Sequence, residues 1–143
     1  MAQRMYDLLD YLRWHTSVPT KLNEFAILIQ ARLWRSQVEW FAHYPLALKG
    51  GLDPKVAGDI AAGKRPDNMK DDEAALYDLA MALYRDKHVS DAVYAAAREK
   101  FGERGIMDII GIIGYYDITS MTLITMQAGA PNDSVPPLPI LAK

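Results

Sequence analysis

The chain has 143 residues, 50% of them hydrophobic, enough for one domain with a core and too few for two ordinary domains. Sixteen Lys and Arg against eighteen Asp and Glu leave a formal charge of −2, so no basic surplus exists for a phosphate backbone and nucleic acid is not an expected partner. The absence of cysteine excludes disulfides, thiolate nucleophiles, Cys-ligated zinc and dithiol redox cycling.

In chain order, Met5, Leu8, Leu9 and Leu12 fall at helical spacing and predict a helix over residues 3–14, broken by Ser17-Val18-Pro19-Thr20. A second helix is expected over 21–33, with Leu22, Phe25, Ala26, Ile29 and Leu33 on one side. Ser36-Gln37-Val38-Glu39 has the form of a capping box, a Ser hydroxyl for one amide and a Glu reaching back for the other. It opens a third helix that Gly50-Gly51 ends, and Pro45 inside it is expected to kink it just after His43. Asp53-Pro54 starts a short helix that carries Val56 and Ile60 inward and stops at Gly63. After a polar loop, the stripe Leu76, Leu79, Ala80, Leu83 predicts a helix over 71–85.

Ser90 caps the next helix, 91–101, and Gly102 ends it. The last helix, about 103–127, is apolar nearly all round, more than a small bundle can cover, so part of it is expected to be a homo-oligomer interface. Gly111 and Gly114 are expected to let another backbone come close. Pro131, Pro136, Pro137 and Pro139 then make an extended tail. The domain reading is a helical domain over 1–127 and a proline-rich tail over 128–143. The N-terminus does not read as a secretory signal, and Asp108 and Asp117 interrupt the most apolar segment, so no membrane partner and a cytoplasmic location are expected.

No run of alternating β-branched residues reads as a strand, and the fold class is all-α, about six to seven helices. Three histidines are present, His15, His43 and His88. Glu39 lies four residues before His43, which puts carboxylate and imidazole on one helix face, where the acid can fix the ring's tautomer or raise its pKa. Glu24 leans inward on the preceding helix, and a carboxylate there needs a partner.

Glu24, eleven residues, Ser36, two residues, Glu39, three residues and His43 resemble the E-x11-C-x2-C-x3-H motif of the alkylhydroperoxidase-like helical fold, with Ser36 and Glu39 at the two cysteine positions. Glu39-Trp40-Phe41-Ala42-His43 with the following Leu46–Leu52 segment is similar to the carboxymuconolactone decarboxylase branch, as are the stretches around Leu22–Leu28, Val89–Ala92 and Gly114-Tyr115-Tyr116. The resemblance spans roughly Tyr11 to Gln127. It implies a trimer or hexamer that decarboxylates a carboxylated unsaturated lactone or a related small acid, with no cofactor and no metal.

On that reading His43 delivers a proton to carbon, and Glu39 or Glu24 holds the ring protonated and oriented. Trp40 and Tyr115 form an apolar wall. Ser36 is a further substrate contact, and Arg32, Arg35 and His15 are the candidate cations for substrate carboxylates. Each residue also has a plainer role. Glu39 completes the capping box, His43 bonds a carbonyl freed by Pro45, Glu24 is the buried partner of an arginine, and His15 meets carbonyls at a helix end. The competing functions are thiol peroxidase chemistry, which lacks its thiolate, a carboxylate–histidine metal site, and a non-catalytic oligomeric binding protein.

Overall fold

The computed structural model of the chain describes residues 1–141; the last two residues of the proposed tail lie outside them. The described residues form six α-helices and no strand: α1 (Ala2–Trp14), α2 (Thr20–Trp34), α3 (Gln37–Lys49), α4 (Pro54–Ala61), α5 (Asp71–Met81) and α6 (Asp91–Thr125). This is the all-α bundle that the periodicity predicts.

The centre of the bundle is α2. Its residues from Leu22 through Arg32 are all buried, so the one-sided face expected from the sequence is replaced by burial on every side. Helices α3 and α6 pack most extensively against it, with α5 and α4 around the remainder. Phe25 and Leu28 of α2 and, from the helices around it, Trp40, Val56, Leu76, Ile109 and Ile112 are each nearly or fully inaccessible. Burial of one such large apolar side chain contributes about 1.5–3 kcal/mol, which is why α2 tolerates a low share of surface.

Local chemistry sets the helix ends. Asp53 caps α4 by accepting the Lys55 amide at 2.8 Å, and Ser90 caps α6 through the Val93 amide. Ser36 occupies the N-cap of α3, but its side chain makes no capping bond, so the capping box read from the sequence does not form. Glu39 is turned instead toward His43. Helix α3 also runs on through Pro45. Pro45 is exposed, so water can serve the Phe41 carbonyl that lost its amide partner.

Helix α5 stops earlier than its stripe suggests. Ala82–Asp86 form a π turn, in which the wider spacing buries Ala82 and leaves Leu83 only half-buried. Within α6, Gly102 has φ 65° and ψ 177°, a conformation essentially restricted to glycine, so the element bends there into the two arms expected on either side of this residue. Of the two glycines expected to admit a close neighbour, Gly111 abuts Leu12, where an added Cβ would stand 3.0 Å from a methyl carbon, whereas Gly114 is exposed and has open space above it.

The apolar excess of α6 is divided. Ile106, Ile109, Ile112, Ile113 and Tyr116 are buried, while Met107, Ile110, Ile118, Met121 and Ile124 are exposed. By length and composition alone α6 does qualify as a membrane span, with a best window of mean hydropathy 1.2, contrary to the exclusion drawn from its aspartates. Those aspartates are used inside the protein. Asp117 accepts the indole N–H of Trp34, and Asp108 accepts from Tyr11 Oη, Ser17 N and Ser17 Oγ at 2.7, 2.8 and 2.7 Å.

Helix α1 rests lightly on this body. Only Leu12 of its apolar residues is buried, and Leu8, which shares its helical spacing, is exposed. Asn23 holds the end of the helix by donating to the Leu12 carbonyl and to Thr16 Oγ1. Beyond α6, residues 128–141 form no helix. Their backbone carbonyls accept from Trp40 Nε1 (Pro136), Gln37 Nε2 (Leu138) and Arg32 Nη1 (Pro139), and Leu138 is buried.

Asp108 thus ties the first turn after α1 to α6. Burial alone would raise its pKa, but the bonds from Ser17 and Tyr11, with Arg104 nearby, outweigh burial and hold it below the usual carboxylate value. Its stabilising effect is therefore present above the ordinary carboxylate range and is lost as pH falls through the lowered value. Asp108→Ala is expected to lower stability in urea denaturation near pH 7 by about 1–3 kcal/mol, leaving Tyr11 and Ser17 donors unpaired. An unchanged unfolding midpoint would contradict this.

Candidate active site

The junction of α1, α2 and α3 gathers three charged side chains around one imidazole. His43 lies on the inner face of α3, one turn after Glu39, and both are buried. Glu24 comes from the buried stretch of α2 and is 2% exposed. Its Oε2 lies 2.7 Å from His43 Nδ1, while Glu39 Oε2 lies 3.3 Å from His43 Nε2. Each ring nitrogen therefore faces a carboxylate. Burial is the largest influence on His43 and lowers its pKa, but the bonds to Glu24 and Glu39, together with their charges, more than offset it and raise the pKa overall.

The fourth member, Arg13, comes from the last turn of α1. Its Nη2 pairs with Glu24 Oε1 at 3.0 Å. Its Nη1 donates to Tyr116 Oη at 3.3 Å and stands 3.1 Å from His43 Nδ1. Arginine can only donate, and the shorter Glu24 contact requires a proton on Nδ1. The Arg13–His43 approach is then one of two donors sharing Glu24. With His43 protonated, Arg13 and His43 balance Glu24 and Glu39, and the quartet, buried apart from the partly exposed Arg13, is neutral in sum.

Tyr116, from α6, meets the His43 ring edge-on, centroids 5.1 Å apart at 88°. Burial, the main influence, pushes its hydroxyl up to about 12, so it remains a neutral phenol near pH 7. Arg13, His43 and Tyr116 together face a cleft of about 360 Å³ whose other walls are Tyr6, Leu9, Asp10 and Trp14 from α1. The Arg13 guanidinium lies 5.3 Å from the Trp14 ring centroid, a cation–π distance.

The structure brings together Glu24, Glu39 and His43 of the residues singled out by sequence, and separates the others. Tyr115 packs against Tyr116, ring centroids 5.6 Å apart, but does not line the cleft. Trp40 is a core residue whose indole is bound to the tail, so it forms no wall of the cleft. His15 points to solvent and pairs with Asp10 at 3.3 Å. Arg35 ends α2 in a left-handed conformation, φ 56°, and with Ser36 borders a different depression, shared with Leu123, Ile124 and Pro137. Arg32 spends its donors on the Ala61 and Pro139 carbonyls. The cation at the cleft is Arg13, which sequence reasoning missed. Tyr116 was also passed over for Tyr115, although Ile109, Ile112, Ile113 and Tyr116 share helical spacing on the buried face of α6.

Among the described residues, no group of three or more His, Asp or Glu side chains is arranged to hold a metal ion. The two carboxylates approach opposite edges of the His43 ring, and Arg13 takes the second oxygen of Glu24. The arrangement suits storing and moving a proton. No family model matches the chain, and no curated protein matches it. The resemblance to the decarboxylase branch therefore stands on the motif residues themselves.

Because the folded state raises the His43 pKa above 6.5, the ring's ionic contacts stabilise fully below that value and are lost as pH rises through the folded pKa. Urea denaturation from pH 6 to pH 9 is expected to show this decline in the native chain, and His43→Gln is expected to flatten it. A variant with the same pH slope as the native chain would contradict the assignment.

Proposed function

We propose that the chain is a carboxymuconolactone decarboxylase-like lyase, which decarboxylates a carboxylated unsaturated lactone or a related small acid by acid–base chemistry at His43. The observation that carries the reading is the imidazole held between two buried carboxylates at the wall of an open cleft. In such a reaction the bond from the ring carbon to the carboxylate breaks and carbon dioxide leaves. The electron pair passes through the unsaturated system to the lactone carbonyl oxygen, giving a dienolate. A proton delivered to carbon completes the product.

The two carboxylates then have unequal duties. Glu24, fixed by Arg13, anchors Nδ1 at 2.7 Å and keeps the ring oriented. Glu39 holds Nε2 more loosely, at 3.3 Å, so this proton is the one that can be given up and later regained from water. Tyr6, Leu9 and Trp14, rather than Trp40 and Tyr115, supply the apolar lining of the cleft, which stays open to solvent at Tyr6 and Trp14. Thiol peroxidase chemistry has no nucleophile, because the chain contains no cysteine.

The exposed side of α6, with Met107, Ile110, Met121 and Ile124, supports a homo-oligomer, a trimer or hexamer in the resembled family. Sedimentation velocity is expected to show such an assembly, and a stable monomer at micromolar concentration would contradict it. For the chemistry, carbon dioxide release from 4-carboxymuconolactone is expected to fall by about 100-fold or more in His43→Ala, with the circular dichroism spectrum retained. Release that survives the substitution would overturn the role given to His43.

A further inference from the structure

We propose that Arg13 and Tyr116 form an oxyanion-binding pair beside His43, made to hold a single anionic oxygen on a flat conjugated molecule. The inference rests on the acid–base reading of the site and adds the residues that would stabilise the charge formed there.

The argument starts with how Arg13 is spent. A carboxylate binds a guanidinium best through two parallel N–H bonds. Here Nη2 is committed to Glu24 Oε1, so that bidentate mode is taken by the protein's own carboxylate. What remains is Nη1, whose neighbours are Tyr116 Oη at 3.3 Å and His43 Nδ1 at 3.1 Å. Tyr116 Oη accepts from Arg13, and among the described residues no acceptor takes its own proton. Nη1 carries two hydrogens; with one on Tyr116 Oη and a protonated His43 Nδ1 unable to accept the other, that second N–H and the Tyr116 O–H are the donors left for one oxyanion at the cleft wall.

Arg13 and His43 are already paired with Glu24 and Glu39, so the pair offers an oxyanion directed hydrogen-bond donors rather than an unpaired cation. Asp10 adds a negative charge at the rim, paired with the exposed His15, and Tyr115 lies behind Tyr116. The aromatic rings of Tyr6 and Trp14 supply the remaining wall, matched to a flat, delocalised body. In the proposed reaction, the pair would receive the carbonyl oxygen as it gains the electron pair left by departing carbon dioxide. His43 would then protonate carbon, returning the oxygen to a neutral carbonyl.

The test uses 4-nitrophenol alone, a flat phenol whose ionised form absorbs visible light, titrated with the full-length protein at a pH one unit below the phenol's free pKa. The bound probe is expected to be mainly the phenolate, seen as a rise in phenolate absorbance. Tyr116→Phe and Arg13→Lys are expected to weaken phenolate binding by roughly tenfold each. Both variants keep most of the side-chain volume, and circular dichroism checks that each remains folded. If the native protein does not bind the probe, binds it as the neutral phenol, or binds phenolate equally well after Tyr116→Phe, the proposal is overturned. Binding is read without turnover, so phenolate capture in a protein that releases no carbon dioxide would retain the oxyanion site and reject the decarboxylase reading.

Discussion

A carboxylate at the centre of a helical bundle is the constraint on which this structure turns. Glu24 sits in the second turn of a helix buried from Leu22 to Arg32, where an unpaired charge would cost several kcal/mol. The protein meets that cost with two donors from two other helices, Arg13 of α1 and His43 of α3. Glu24 therefore acts as a junction. It gives α1, which buries little apolar surface, a specific seat, and it sets the orientation of the one buried histidine.

From that junction the properties of the cleft follow. The Glu24 contact fixes one ring nitrogen and directs the other at Glu39, one helical turn away on the same helix. Arg13 cannot leave Glu24 without leaving Oε1 unpaired, so its second amino group stays beside Tyr116 and His43. The cleft is walled largely by α1, the element with the weakest hold on the core. Its shape thus depends on polar contacts, through Asp108 at Tyr11 and Ser17 and through Glu24 at Arg13, more than on apolar packing.

Much of this was legible in the sequence, and the boundary is physical. Helices whose ends are set by local chemistry, such as Asp53-Pro54 before α4 and Ser90 and Gly102 in α6, could be read because cap and breaker act within a few residues. The Glu39–His43 pair was legible for the same reason, being a one-turn contact. The capping box failed because Glu39 had two possible partners, and the choice of His43 over its own backbone was decided by the tertiary placement of the ring. Arg13 carried no local signal at all. Its role comes from contacts to residues in α2, α3 and α6, eleven to more than a hundred positions away. Arg35 and His15 drew attention by proximity in sequence to the motif, but backbone geometry at the end of α2 and solvent exposure at the end of α1 take them elsewhere.

The central claim is that His43 carries a proton on each ring nitrogen, facing Glu24 and Glu39, at a pH where an ordinary histidine is only half protonated. Nitrogen-15 chemical shifts of the labelled imidazole at pH 6.5 test it most directly. The account predicts that both ring nitrogens of His43 resonate as protonated, and that Glu24→Gln returns one of them to the unprotonated shift. A neutral ring in the native protein, with one nitrogen bare at that pH, would contradict the account.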